Sequence, residues 1–462
     1  MTPVDIGFDT IGNAILICND RGLPVLVTDP WITGSAYLGS WSFSHEMPPE
    51  QLTAIRNTKY VWLSHGHPDH LQAESLEQLR SKTILLPDHV GKRIHDSLRE
   101  QGFDVRTMTD RQWYPLSDRV RALCISDLNQ DAILLVDING RLVFNRNNAS
   151  DHGWESFVRK TIKRYDVSFL LALSSRFGDA DMINYFDEDG RRIPARENVP
   201  SLGARNAHRT ETVGARYFVP FSSMHVYQRS DSIWANQYRT SLADYAAGFR
   251  SKRCDILPAY LRYDCETDRT EEIRPAELPV VVRDPAEFGD DWDEPLEAAD
   301  VAAAERYFSS IERLSAVLDF VNLRVGGRDN FITLGKRKFN RGVTFEAPRH
   351  SLVTALHYEI FDDLLIGNFM KTTLHGTSGP ERLYPDFTPF VAKYADNRAR
   401  QVGAGARRLF QGVSPTHRRP FGKERVLAIQ KIAALVAGKG KARKKVAALG
   451  SRLPDNTLCS NN

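Results

Sequence analysis

Along residues 1–240, short apolar blocks alternate with turn-forming residues. The blocks "NAILIC", "PVLVTD", "YVWLS", "TILLP", "VRALCIS", "AILLVDI", "RLVFN", "VSFLLALSS" and "ARYFVPF" are β-branched or aliphatic and of ordinary strand length. Asn19-Asp20-Arg21-Gly22 and Ile138-Asn139-Gly140 read as hairpin turns. Hairpins imply antiparallel neighbours, so mixed pairing is expected. Between the strands lie two helix patterns, "DHLQAESLEQLRS" and "DHVGKRIHDSLREQGF". Strands with interspersed helices predict an α/β fold, its sheets buried between helical layers.

The character changes after residue 265. Residues 266–300 are acidic and proline-bearing and read as a solvated connection. The stretch "ADVAAAERYFSSIERLSAVLDFVNLRV" has helical spacing, and Gly326-Gly327 reads as its stop. Strand patterns return in "FITLG", "GVTFEAP" and "SLVTALHYEIFDDLLIG". The expected organisation is a catalytic domain at 1–265, an acidic connection at 266–300, and an α+β domain at 301–462 ending in a basic tail. The tail's "GKGKARKKVAALGSR" has no interleaved aromatics and reads as a solvated terminus.

Composition narrows the class of partner. With 61 basic and 58 acidic residues the net charge is +3, so nothing draws the chain toward nucleic acid or a membrane surface. The apolar runs fall far below the ~18 residues that cross a bilayer, so no membrane span is expected. The five cysteines form no C-x-x-C pair, which argues against a zinc ribbon or a disulfide framework. An odd count without an export signal fits the cytoplasm.

The chemistry concentrates at His65-Gly66-His67-Pro68-Asp69-His70, just after "YVWLS". A strand end is rigid and fixes ligand positions. His65 and His67 are two apart and can point to one side of an extended segment, with Gly66 leaving room for a tight path. Asp69 and His70 are expected to open the next helix and face back across the same cavity. Two histidines opposite an Asp-His pair suit two adjacent metal ions. Mixed imidazole and carboxylate donors suit zinc, non-haem iron or manganese. By contrast His95, His350 and His417 read as surface or satisfied core histidines.

The motif resembles the H-x-H-x-D-H signature of the metallo-β-lactamase superfamily, matched at His65, His67, Asp69 and His70. "DPWITGSAYLGSW" (29–41) and "PFSSMHVYQRSDSIWANQYR" (220–239) resemble the branch that includes CMP-N-acetylneuraminate hydroxylase. The lactonase acting on ascorbate 6-phosphate is a more distant relative. The resemblance covers roughly residues 5–240, with "FDDLLIGNFMKTTLHG" (361–376) as further support. It implies an αββα sandwich with the site at one edge. In such a site His65 and His67 hold one metal, and Asp69 and His70 the second. The resemblance also asks for three further ligands. Asp127 is the oxygen candidate for the third position on the first metal. Asn148 stands where a bridging carboxylate is expected, with Asp151 or His152 as substitutes, so a site with one firmly held metal is an alternative. His225 fits the final histidine. Asp29 would orient a metal-bound histidine, and Arg176 would hold an anionic substrate group. His45-Glu46, His208 and Arg209 are weaker pocket candidates.

These residues lead to a metal-dependent hydrolase. One or two divalent ions, zinc first and iron or manganese as alternatives, would activate water against an ester, lactone, amide or phosphoester of a polar or anionic small molecule. Asp69 would orient the nucleophile and accept its proton. The second reading is a diiron oxygenase drawing electrons from a partner protein. The chain has no paired C-x-H and C-x-x-H segments, so no Rieske cluster is expected. A third reading is a non-catalytic binding protein with a decayed site, hinted at by Asn148. The C-terminal unit would cap the active site or form a homodimer.

Overall fold

A computed structural model of the chain describes residues 4–89, 91–126, 131–149, 151, 153–173, 182–194, 201–311, 314–334, 341–376, 387 and 391. The hairpin signals hold. Arg21 and Gly22 (φ 55° and 69°) turn between strands Ile15–Asp20 and Leu23–Thr28. Asn139 and Gly140 (φ 50° and 79°) turn between Ala132–Ile138 and Arg141–Asn147. Two consecutive left-handed residues match the right-handed strand twist.

Two large mixed sheets follow. The first has eight strands in the order Arg269–Glu272, Leu261–Asp264, Ile6–Ile11, Ile15–Asp20, Leu23–Thr28, Tyr60–Trp62, Thr83–Pro87, Asp104–Met108. The second has seven: Asp255–Ile256, Tyr217–Pro220, Val167–Ala172, Arg141–Asn147, Ala132–Ile138, Val120–Ser126, Trp113–Pro115. Their inner faces meet in one core, where Phe8, Leu16, Leu26 and Trp62 pack with Leu134, Val143, Phe169 and Val219. Helix Pro49–Asn57 buries Ile55, and helix Glu155–Ile162 buries Val158 and Ile162, in the core that covers the outer faces. The architecture is an αββα sandwich. Central strands such as Ala132–Ile138 are buried at every position, which is why they read as near-continuous apolar runs, broken here only by Asp137.

A third, five-stranded sheet runs Tyr185–Phe186, Lys371–His375, Gly342–Glu346, Phe320–Val325, Arg328–Thr333. All of these sheets lie in one compact unit. Three expectations are corrected here. The long helix ends early: Ala298–Ser310 and Leu314–Val317 are helical, but Phe320–Val325 is a strand. Its alternate residues Val321, Leu323 and Val325 are buried, and Gly326-Gly327 (φ 57° and 69°) make a hairpin turn. The period switches from helix to strand inside one apolar stretch. Conversely, "SLVTALHYEIFDDLLIG" is not a strand but two helices, Arg349–His357 and Asp362–Gly367. Leu352, Ala355 and Leu356 bury one helical face. The acidic segment is not wholly solvated either, since Arg269–Glu272 adds an edge strand and Asp290 is buried.

Among the described residues no helix is long and apolar enough to cross a membrane.

Gly7 shows how tightly the first sheet is built. A Cβ there would lie 2.1 Å from the Tyr263 carbonyl oxygen of the neighbouring strand. The obstacle is backbone, so the strands must part. Gly7→Ala is expected to destabilise the protein by about 1–3 kcal/mol, the usual cost of overpacking, read as a lower urea midpoint. An unchanged midpoint would show that the two strands have slack.

Candidate metal centre

The site forms where strands of both sheets end. Strands Leu23–Thr28, Tyr60–Trp62, Thr83–Pro87 and Asp104–Met108 run parallel to one another, and so do Arg141–Asn147, Val167–Ala172 and Tyr217–Pro220. Asp29, residues 63–70, Asn147 and His225 all follow or close such strands, at their carboxyl ends, where open α/β sheets gather ligands. Asp69 and His70 sit in a turn bonded back to the His67 carbonyl rather than in the helix, which starts at Ala73 after Gln72 caps Ser75.

Hydrogen-bond bookkeeping assigns the protons. Ser64 Oγ donates its single proton to Asp29 Oδ2 at 2.8 Å. It therefore accepts from His65 Nδ1, also at 2.8 Å, and the Asp131 carboxylate 3.7 Å away favours the same proton. His65 Nε2 is left with its lone pair, aimed at His67 Nδ1 at 2.9 Å. On the other side of the ring, His67 Nε2 meets Asp362 Oδ2 at 2.8 Å. His67 thus stands between two acceptors, and a neutral imidazole has one N–H. The arrangement calls for a cation, either an extra proton or a metal ion. This pair is buried, with His65 1% and His67 3% exposed.

Asp69 and His70 make the other half. Asp69 accepts from Tyr37 Oη at 2.6 Å and from Asn13 Nδ2 at 2.8 Å. Burial opposes its ionisation, but His70, His67 and the tyrosine outweigh it and hold the carboxyl well below the usual range. His70 Nδ1 lies 3.2 Å from Asp29 Oδ2. Its Nε2 is 3.1 Å from Asp69 Oδ2 but makes no hydrogen bond among the described residues. Burial disfavours the charged ring, yet Asp69 and Asp29 prevail and raise His70 to about 10. His65 and His70 rings approach to 4.3 Å between centroids.

His225 completes the enclosure. It lies on Trp41 with ring centroids 3.3 Å apart, and neither nitrogen has a hydrogen-bond partner among the described residues. Burial drives its pKa down to about 3, against the pull of Asp69. A buried, neutral imidazole with both nitrogens unsatisfied carries a penalty of about 1–3 kcal/mol, and a cation on its lone pair would remove the acceptor's share. Asn13 ties it to the centre, bonding Asp69 through Nδ2 and the Met224 amide through Oδ1. The donor set, imidazole and carboxylate, fits a divalent metal.

The structure therefore brings Asp29, His65, His67, Asp69 and His70 together, with His225 beside Asp69. Asn148 is half-buried, and its Oδ1 has no hydrogen-bond partner among the described residues. Its neighbour Asn147, turned inward by a β-bulge at φ 47°, donates to Asp29 and Ser64. Asp127, His152 and Arg176 lie outside the described residues. Five participants escaped sequence reasoning: Asn13, Tyr37, Trp41, Asp131 and Asp362. Asp362 left a signal in "FDDLLIG", where paired aspartates open a helix, and Tyr37 and Trp41 lie within the quoted stretch "DPWITGSAYLGSW". Ligand atoms of His67, Asp362 and Asp363 lie within 4.8 Å of one another.

No family model matches the chain. It is 26% identical over 129 residues to the cytidine monophosphate-N-acetylneuraminic acid hydroxylase of Danio rerio, a match over 26% of this chain and 22% of that protein. The chain thus spans about a fifth of the length of that relative. Among solved structures it is similar to CmlA, a diiron β-hydroxylase from Streptomyces venezuelae, at 14% identity and TM-score 0.37, over 59% of this chain and 55% of that one. It is also similar to the isothiocyanate hydrolase from Delia radicum gut bacteria, at 15% identity and TM-score 0.36, over 58% and 99%. The resemblance read from the motif, to a branch that includes CMP-N-acetylneuraminate hydroxylase, agrees with the Danio rerio match.

Proposed function

We propose that the chain is a metal-dependent enzyme that binds one or two divalent ions in the cluster around residues 65–70 and hydrolyses a polar small molecule. The observation that supports this is His67 held between a lone pair and a carboxylate, a buried arrangement that a cation completes. A divalent ion bound there lowers the pKa of water from ~16 toward ~7 and so supplies a nucleophile at neutral pH. The protein's own groups do the rest. Asp29 and Ser64 orient His70 and His65. Tyr37 and Asn13 pin Asp69. Its depressed proton affinity suits it to orienting a nucleophile or holding a cation better than to storing a proton. His225 and Trp41 wall the cluster from solvent.

A second reading, oxidative hydroxylation, is favoured by the carboxylates around the histidines. Asp69 stands beside the histidines, its Oδ2 3.1 Å from His70 Nε2, and mixed carboxylate and imidazole donors suit iron as well as zinc. That reaction needs electrons from a partner. Elemental analysis and the visible spectrum of protein purified without added metal decide between the readings. Zinc in a colourless protein supports hydrolysis, and two irons with visible absorption support oxidation. Protein that arrives metal-free and takes up no zinc, iron or manganese at micromolar levels would defeat both.

A further inference from the structure

The metal-binding motif lies within six residues, yet one of its histidines is held from 295 positions away. Asp362 opens the helix Asp362–Gly367, and the amino end of a helix favours a carboxylate. The residue is 1% exposed, and its Oδ2 lies 2.8 Å from His67 Nε2. A buried carboxylate at that distance holds a proton on the nitrogen it faces.

The other ring nitrogen then matters. With the proton kept on Nε2, the Nδ1 lone pair of His67 is directed at the place where the His65 Nε2 lone pair also points. A cation seated there draws on both imidazoles. The alternative seat lies on the far side of the ring, among His67, Asp362 and Asp363. Two observations favour the first. His65 has its proton fixed on Nδ1 by Ser64 and Asp131, so its lone pair can face only inward. The imidazole nitrogens that lack hydrogen bonds among the described residues, on His70 and His225, gather with Asp69 and the His65 ring.

We infer that Asp362 is the positioning residue of the metal centre: it keeps the proton on His67 Nε2 and so presents Nδ1 to the metal, making assembly of the site depend on docking of the C-terminal helices. This rests on the metal-dependent reading above and extends it to a residue outside the motif. It does not make Asp362 a ligand. Outer carboxylates of this kind fix the tautomer and orientation of a ligating histidine, and their loss typically weakens metal binding ~10–100-fold.

The test is zinc affinity of the full chain, measured by competition with a chromophoric chelator, for wild type, Asp362→Leu and Asp362→Asn. Asp362→Leu is expected to bind zinc ~10–100-fold more weakly with unchanged stoichiometry at saturation. Cobalt substituted into the saturated variant should give the wild-type ligand-field spectrum, because no ligand is lost. The metal-free melting temperatures report any purely structural damage. Should the leucine variant fail to fold, Asp362→Asn decides: it preserves shape and an acceptor but removes the charge, so weaker binding than wild type is expected. Two results would overturn the inference. One is affinity within twofold of wild type in the folded variants, and the other is loss of a whole equivalent of bound metal, which would make Asp362 a ligand. If wild-type protein itself binds no metal, the functional reading falls with it, an outcome the wild-type arm identifies separately.

Discussion

His67→Ala protein is expected to lose more than ~100-fold in metal affinity, beyond the range typical of removing an outer partner, and with it the activity of whichever substrate the wild type turns over. Three features of the site make the effect large. The imidazole supplies one of the two nitrogens that converge at 2.9 Å. The site is buried, so bulk water cannot readily stand in for a missing ligand. The ring also satisfies Asp362, and its loss leaves a carboxylate buried without that donor. His67→Gln separates the two contributions. Its amide can still donate toward Asp362, but it is a far poorer ligand than imidazole. It should therefore retain more stability than the alanine variant while still losing metal. His95→Ala is the control, because His95 lies on the surface helix Arg93–Glu100 and pairs only with Asp96 among its described ion pairs. Metal retention in His67→Ala equal to that in His95→Ala would remove His67 from the centre.

Arg229→Ala is expected to destabilise the whole protein by about 3–5 kcal/mol, the cost of breaking a buried ion pair. The guanidinium is fully buried. It grips Asp231 through Nε at 3.0 Å and Nη2 at 2.7 Å, and Asp290 through Nη1 at 2.6 Å. It also donates to the Leu38 carbonyl at 2.9 Å and lies 3.9 Å from the centre of the Phe369 ring. Burial works against its charge, but the two carboxylates prevail and raise its pKa. Asp290 in turn accepts from the backbone and hydroxyl of Ser351, on helix Arg349–His357. One side chain therefore ties three parts of the fold together: the segment carrying His225, the loop carrying Tyr37, and the C-terminal helices that carry Asp362. Urea unfolding of Arg229→Ala measures the loss. Arg229→Ala with Asp290→Asn should recover part of it, since the stranded charge is then gone. A loss below about 1 kcal/mol in the single variant would mean that water or a neighbouring cation replaces the guanidinium.

The legible part of this protein is local. His65, His67, Asp69 and His70 stand within six residues of one another just beyond the strand Tyr60–Trp62, and two side chains that are two apart on an extended segment point to one side. The turns at Asn19-Asp20-Arg21-Gly22 and Ile138-Asn139-Gly140 were equally plain, because left-handed backbone restricts the residues that can adopt it. Where one apolar stretch changed period, as at residues 299–325, composition alone did not reveal the switch, and "SLVTALHYEIFDDLLIG" looked like strand because its helical face is interrupted by few polar residues. By itself the sequence determined the α/β alternation of strands and helices and the histidine motif, through steric and periodic rules that act over a few residues, while the sandwich followed from the motif's resemblance. Only the tertiary structure decided which distant groups surround that motif. Asn13, Tyr37, Asp131 and Asp362 are ordinary residue types in ordinary local settings. They acquire a role through chain packing that brings them into a buried, low-dielectric cluster, where each proton and lone pair must find a counterpart.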